Sequence, residues 1–272
     1  MPKHSDLFSN IWCSARPTTA AISGVLAMGM VAFRLHENIL WIGLRVIPIV
    51  MITMSGFIMN DIFDRDKDRV LGLRRPITTG RLAILHAGIA ATLMYLGALL
   101  IELSVGSVES VVILGSAAIG TMLYSPIANR YPIFKGVITS VLCILPLAYG
   151  AALSGAIMDR WAIIVIMVFI TGRELILDIP DVHGDAAAGR ITIPLYWGRK
   201  AAGIIGWTLM WLAVSFMLVI FNAPLSRLLI AAAALVLLIS LGLYHREERK
   251  AMALTRLAMV LGALSVAIPR LP

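Results

Sequence analysis

An all-α membrane protein, a polytopic helical bundle of about nine transmembrane helices around a central cavity, is the fold this sequence predicts. Three observations predict it. Hydrophobic residues make up 60% of the 272 residues, charged ones only 14%, and the mean hydropathy is +0.91. A soluble core needs far less apolar sequence than that. The apolar residues gather into runs of about 20, the length that crosses a hydrocarbon layer as a helix. Finally, Lys and Arg sort by the connections between those runs, as topology signals do.

In chain order the expected spans are 17–33, 40–60, 82–103, 109–124, 134–156, 161–178, 201–221, 225–244 and 252–269. The first follows a polar stretch, 1–16, without the cleavage pattern of a signal peptide, so it is read as retained. Spans 2 and 6 each run into an acidic cluster followed by a basic loop and further apolar helices. The chain therefore reads as one domain, 1–272, of two pseudo-repeated halves, about 1–130 and 131–272. Paired motifs in corresponding positions of a membrane protein mark a site between its halves.

Cys13 and Cys143 stand apart and form neither a disulfide framework nor a cysteine metal site. The net charge of +8 and pI of about 9.9 suggest nucleic acid at first sight, but the distribution of the charges is that of a membrane protein. Arg34, Arg45, Arg160, Arg227 and Arg270 fall on one side. The N-terminus and the connections after spans 2, 4, 6 and 8 carry most of the others, Arg190, Arg199 and Lys200 among them. The reading is an integral protein of the lipid bilayer with no nucleic-acid partner. Its N-terminus and both acidic clusters are cytoplasmic, and its C-terminus lies outside.

The first cluster is Asn60-Asp61-Ile62-Phe63-Asp64-Arg65-Asp66-Lys67-Asp68. On a helix Asp61, Asp64 and Asp68 stand at i, i+3 and i+7 and project from one face, with Asn60 beside them. Like charges so crowded repel one another, the more so near a membrane, and a cation between them relieves this. Oxygen donors in that number suit Mg²⁺, which binds through one or two carboxylates and a substrate's phosphates. The second cluster, Asp178-Ile179-Pro180-Asp181-Val182-His183-Gly184-Asp185, repeats the three offsets, and Pro180 places it at a helix end. His183 is left out, because a diphosphate-bound Mg²⁺ prefers oxygen.

Basic residues flank the acids. Arg75 in Arg74-Arg75-Pro76-Ile77 and Arg16 in Arg16-Pro17 are candidates to hold diphosphate oxygens, since a guanidinium forms two parallel hydrogen bonds to a phosphate. Arg81 reads as a topological anchor. Tyr124, ending span 4, could donate a hydrogen bond to a leaving oxygen, with Arg130 and Lys135 following in the same loop. Glu174 and Arg173 form either a supporting layer or a simple ion pair.

These residues resemble the UbiA family of intramembrane prenyltransferases. The first signature, N-D-x-x-D-x-x-x-D, is matched from Asn60 through Asp68, and the second by Asp178, Asp181 and Gly184-Asp185. Arg75-Pro76-Ile77, Arg16-Pro17 and the Ile193-Pro194…Gly198 stretch extend the likeness over essentially the whole chain. It implies a Mg²⁺-dependent enzyme that ionises an isoprenoid diphosphate to an allylic cation, which an acceptor captures. Asp178-Ile179-Pro180-Asp181 looks most like the branch that prenylates homogentisate, whereas Gly172-Arg173-Glu174-Leu175 looks like the archaeal enzymes that make lipid ethers. The sequence departs from the family at Asn129-Arg130, where Lys-Arg is common, and at Lys135-Gly136, where Gly-Asn often stands.

The expectation is transfer from a prenyl diphosphate to a small aromatic acceptor of the quinone-precursor type, or else to a lipid. Asp61, Asp64, Asp68, Asp178, Asp181 and Asp185 would hold the metal ions. Asp61, Asp64, Asp181 and Asp185 would be the most direct participants, with Asn60, Arg16, Arg75, Tyr124, Arg130 and Lys135 contacting substrate. The rivals are a lipid-ether-forming transferase, a terpene cyclase without an external acceptor and, more distantly, a cation transporter, which would hold its acids at mid-span.

Overall fold

The computed structural model describes residues 4–32, 38–187 and 189–268, and among them every regular element is helical. Helix α1 (His4–Ala15) precedes α2 (Pro17–Ala32), and α3 (Ile39–Arg45) leads into α4 (Ile47–Phe63) and the short α5 (Arg65–Val70). Then come α6 (Ile84–Val105), α7 (Val108–Arg130), a 3₁₀ turn at Pro132–Phe134, α8 (Lys135–Leu153) and α9 (Arg160–Asp178). Two short helices, α10 (Val182–Ala187) and α11 (Ile193–Tyr196), lead to α12 (Arg199–Ile220), α13 (Pro224–Leu243) and α14 (Glu248–Ala267).

Every expected span has a helix under it. Six (α6, α7, α8 with its 3₁₀ turn, α12, α13 and α14) are long and apolar enough to cross a membrane, and α3 with α4 makes a seventh across a 41° bend. Helix α2 has 16 residues, short of a full crossing, and α9 carries Arg173, Glu174 and Asp178 near its end. The structure thus supports a polytopic bundle with six or seven helices of spanning character among the described residues. Arg34 and Arg270, read as far-side charges, and the last residues of spans 1 and 9 lie outside the described residues.

Local chemistry explains most helix ends. Ser107 caps α7 by accepting from Ser110 N (3.2 Å), and Asp159 caps α9 by accepting from Trp161 N (2.8 Å). Pro48, in the first turn of α4, donates no amide hydrogen to α3, which is where the seventh span bends. One expected end is corrected: α7 does not stop at Tyr124 but runs through Pro126 to Arg130. A membrane helix tolerates an internal proline when neighbouring helices hold it in place. Helix α1 was not expected at all. It packs on α4 while Phe8 and Trp12 stack on its exposed face, ring centroids 5.9 Å apart.

The bundle is inverted relative to a soluble protein, with Leu85, Leu93 and Leu100 of α6 exposed and the small residues Ala87, Ala91 and Ala98 buried. Buried apolar side chains form two clusters. One spans α1 to α4, α6 and α7 with Tyr149 and Leu153 of α8, and the other joins residues of α2, α8, α9 and α12 to α14. Helices α9 and α12 cross closely through a pair of glycines. A Cβ at Gly172 would lie 2.6 Å from the Gly206 carbonyl oxygen, and one at Gly206 would lie 2.7 Å from that of Gly172. Backbone cannot rotate away as a side chain can, so Gly172→Ala is expected to cost about 1–3 kcal/mol of stability. A melting temperature in detergent equal to wild type would show that this contact is not made.

A small apolar pocket of about 20 Å³ lies between α9, α12 and α14. A roomier one, about 140 Å³, is lined by Met30 of the first half together with Met158, Phe221 and Val266 of the second.

Candidate active site

The first acidic run begins in the last turn of α4 and continues through Asp64 into α5. Asp64 (φ −89°, ψ 4°) marks the joint, yet Asp64 N donates to Asn60 O (2.9 Å) and Asp68 N to Asp64 O (2.8 Å), so helical spacing survives. Asp61 and Asp68 therefore stay on one face, each with a carboxylate oxygen 2.7 Å from Nη1 of Arg75. Arg16 brings a second guanidinium to Asp61. Among the described residues Arg16 alone of the non-glycines has a positive φ, 49°, at the α1–α2 joint, and its guanidinium lies 5.1 Å above the Phe57 ring. That backbone conformation is costly for a side chain and persists where the surrounding contacts demand it. Asn60 Oδ1 accepts from the Ser125 hydroxyl of α7 at 3.1 Å.

The second run breaks where Pro180 predicts. Ile179 nevertheless remains in the right-handed helical region (φ −61°, ψ −48°), its amide turned to Ile176 O at 3.3 Å, and the missing N–H of Pro180 ends α9 immediately after. Helix α10 then packs against α5. Gly184 permits the approach, since a Cβ there would lie 2.7 Å from Leu71.

The two runs meet at this contact. Lys67, between the acids of the first run, places Nζ 2.9 Å from Asp181 and 3.0 Å from Asp185 of the second. Arg190 reaches back the other way, 3.2 Å from Asp64 and 3.7 Å from Asp185. Lys135, at the start of α8, pairs with Asp178 and lies 3.6 Å from Glu174, with Tyr124 nearby. Arg130 stands apart: it is exposed and its Nε donates to the Tyr131 hydroxyl at 3.2 Å. Arg81 bonds within its own loop, and His183 is exposed.

Asp68 lies in α5, outside the spans, and its carboxyl is raised from the usual 3.8 to about 6. Burial is the largest cause and outweighs Arg75, which is shared with Asp61, while the charges of Asp64 and Asp61 add to the rise. Between pH 3.8 and about 6 the folded chain holds a proton that the unfolded chain has released. Stability from this group therefore falls as pH rises through that window and is level above it. The melting temperature of Asp68→Asn minus that of wild type is expected to climb from pH 4 to pH 6 and then stay flat. A difference that ignores pH would contradict this account of Asp68.

The donors suit a hard divalent ion, being carboxylate oxygens on two runs that face each other. Among the described residues no three acids already converge as a cage; each is turned toward an Arg or Lys. Asp68 Oδ2, buried and 2.7 Å from Arg75, still makes no hydrogen bond, which leaves an acceptor in need of a partner. This fits an ion that takes few protein ligands and completes its shell from a substrate's phosphates.

The sequence model of the UbiA prenyltransferase family matches residues 19–264. The chain belongs to the UbiA prenyltransferase family. It is a membrane prenyltransferase, and the family expected from Asn60–Asp68 and Asp178–Asp185 is its own. A digeranylgeranylglyceryl phosphate synthase of Methanothermobacter thermautotrophicus is 26% identical over 247 residues, covering 86% of this chain and 85% of that protein. The enzyme of the same name from Methanopyrus kandleri is 29% identical over 195 residues, 69% of each. In fold, a UbiA homolog from Archaeoglobus fulgidus, solved bound to GPP and Mg²⁺, superposes with a TM-score of 0.71 at 16% identity over 95% of this chain and 99% of that one.

Against the UbiA fold, the residues that sequence reasoning missed are the cations linking the two runs. Lys67 was visible as the one lysine in a run of aspartates, but its partners lie more than a hundred positions away. Arg190 was read only as a topology charge.

Proposed function

We propose that this protein transfers a prenyl group from a prenyl diphosphate to a hydroxyl of a glycerol-phosphate lipid, forming an ether. One observation carries the diphosphate half of this reading: Lys67 and Arg190 join two acidic runs from separate helices into a single charged site. The acceptor half is supported by the names of the relatives above. The aromatic acceptor suggested by Asp178-Ile179-Pro180-Asp181 gives way to the ether-lipid acceptor suggested by Gly172-Arg173-Glu174-Leu175.

In this reading Arg16, Arg75, Lys67, Lys135 and Arg190 donate to diphosphate oxygens, and Asn60 and Tyr124 line the same end of the bundle. Asp61, Asp64 and Asp68 on one side and Asp178, Asp181 and Asp185 on the other hold Mg²⁺. When bound, Mg²⁺ neutralises the charge that gathers on the departing diphosphate. The arginines and lysines do the same with fixed hydrogen-bond donors. Their present carboxylate partners keep them oriented until the substrate arrives. The allylic carbon–oxygen bond breaks with its electron pair leaving on the diphosphate, and the acceptor oxygen bonds to that carbon and loses its proton. Apolar helices keep water from the cation. The acids lie at helix ends, whereas a cation transporter would hold them at mid-span.

We read the site as cytoplasmic, nine crossings as the topology, and the chain as two pseudo-repeated halves, about 1–130 and 131–272. Arg227→Ala, on the opposite side, is then expected to leave turnover within about twofold of wild type; a large loss would invert the topology.

The function is tested by mass spectrometry of products from prenyl diphosphates offered with a prenylglyceryl phosphate, with a homogentisate-type phenol and with no acceptor. An ether of the glyceryl phosphate is expected. Product from the phenol alone, or a hydrocarbon without acceptor, would overturn the assignment.

A further inference from the structure

The two acidic runs are neutralised by different cations. Arginines hold the first: Arg75 lies 2.7 Å from both Asp61 and Asp68, Arg16 pairs with Asp61, and Arg190 lies 3.2 Å from Asp64. Lysines take the larger part of the second. Lys135 pairs with Asp178, and Lys67 places Nζ 2.9 Å from Asp181 Oδ2 and 3.0 Å from Asp185 Oδ1. A guanidinium is a rigid fork, whereas an ammonium is a point charge on a flexible four-carbon stem that can move off its partners.

Lys67 stands where a divalent ion shared by Asp181 and Asp185 would stand. The two acids are one helical turn apart, Asp185 N donating to Asp181 O at 2.9 Å, so their side chains project the same way. Mg²⁺ binds through one or two carboxylates, and this pair is enough for it. An ammonium and a divalent ion cannot share the place, because like charges so close repel one another. Lys67 and Asp185 are buried, while Asp181 is partly open to solvent, which gives the place one way in. Lys67 cannot leave without a replacement, since Asp185 would keep only Arg190, at 3.7 Å, among the described residues. The signature N-D-x-x-D-x-x-x-D leaves position 67 open, so the acids themselves do not prescribe a lysine there.

We propose that Lys67 gates the second acidic run: its ammonium holds the place of a divalent ion between Asp181 and Asp185, and the run takes up that ion only with a diphosphate that draws Lys67 away. The exchange balances charge. Diphosphate oxygens accept from the ammonium between the runs, the divalent ion takes over the two carboxylates, and neither change is favourable without the other. By linkage each ligand raises the affinity for the other. The metal ion therefore enters the second run with the substrate and not before it. The inference rests on the diphosphate reading above and adds how that site is regulated.

Uptake of Mn²⁺ tests the gate without turnover, since Mn²⁺ takes the same oxygen donors as Mg²⁺ and its free form is counted by electron paramagnetic resonance. The purified protein is titrated with Mn²⁺ in the absence of diphosphate. Lys67→Met is expected to bind the ion more tightly than wild type by about tenfold or more. That gain is expected to vanish when Asp185→Asn is added to Lys67→Met. A non-reactive prenyl thiodiphosphate is expected to raise uptake by wild type. Because Lys67→Met is destabilised, its melting temperature in detergent is followed through the same titration, and Mn²⁺ is expected to raise it by more than it raises that of wild type. Equal Mn²⁺ affinity in wild type and Lys67→Met, or equal shifts in melting temperature, overturns the gate. Wild type that still binds the analogue with Mn²⁺ in that case keeps the diphosphate reading. A gain in Lys67→Met with no analogue bound by wild type does the reverse: it upholds the competition at Asp181 and Asp185 and overturns the diphosphate as its trigger.

Discussion

Asp61→Asn is expected to abolish diphosphate release, lowering turnover by roughly 10³-fold, the upper range for removing one group that stabilises developing charge. Asp61 is 2% exposed and is the shared partner of Arg16 and Arg75. Its loss removes an oxygen donor and frees both guanidinium groups, one of them held on a strained backbone, to turn elsewhere. The amide keeps the volume, so the protein is expected to remain folded in detergent. Release of labelled diphosphate from a prenyl donor measures the effect, and unchanged turnover would remove Asp61 from the site.

Lys67→Met should damage stability and chemistry together. Its ammonium joins Asp181 and Asp185, and Asp185 is 2% exposed with only Arg190, at 3.7 Å, as another cation within reach among the described residues. Breaking a buried pair from one side costs about 3–5 kcal/mol. We expect the lower end, about 3, because Asp181 is partly open to solvent, where pairs contribute little. Diphosphate release should fall by about 10²-fold. A wild-type melting temperature would mean that the two runs are not tied through this residue.

The contrast between Asp61 and Lys67 shows what the sequence made legible. The acids were readable because their i, i+3, i+7 spacing is local, and a helix converts local spacing into a shared face without help from the rest of the chain. Their cations were not, because which Arg or Lys meets which Asp depends on how α5 and α10 pack, a contact spanning more than a hundred residues. Arg16 and Arg75 were found as arginines at helix ends and loops, where a guanidinium can take up a phosphate, and both lie on Asp61. Arg130 was selected on the same kind of evidence, but the extension of α7 through Pro126 carries it away to Tyr131. Periodicity also gave no warning of α1, whose sequence is too mixed to read as a span and too short to stand alone as a helix. Two four-residue stretches pointed to different acceptors, and the sequence offered no physical ground to prefer one.

The most direct measurement of the central claim is calorimetric binding of a non-reactive prenyl thiodiphosphate in the presence of Mg²⁺, to wild type and to one variant in each acidic run, Asp61→Asn and Asp185→Asn. The account predicts one analogue per chain and loss of binding in both variants, because both runs build one site. Two independent analogues per chain, or full affinity in either variant, would contradict it.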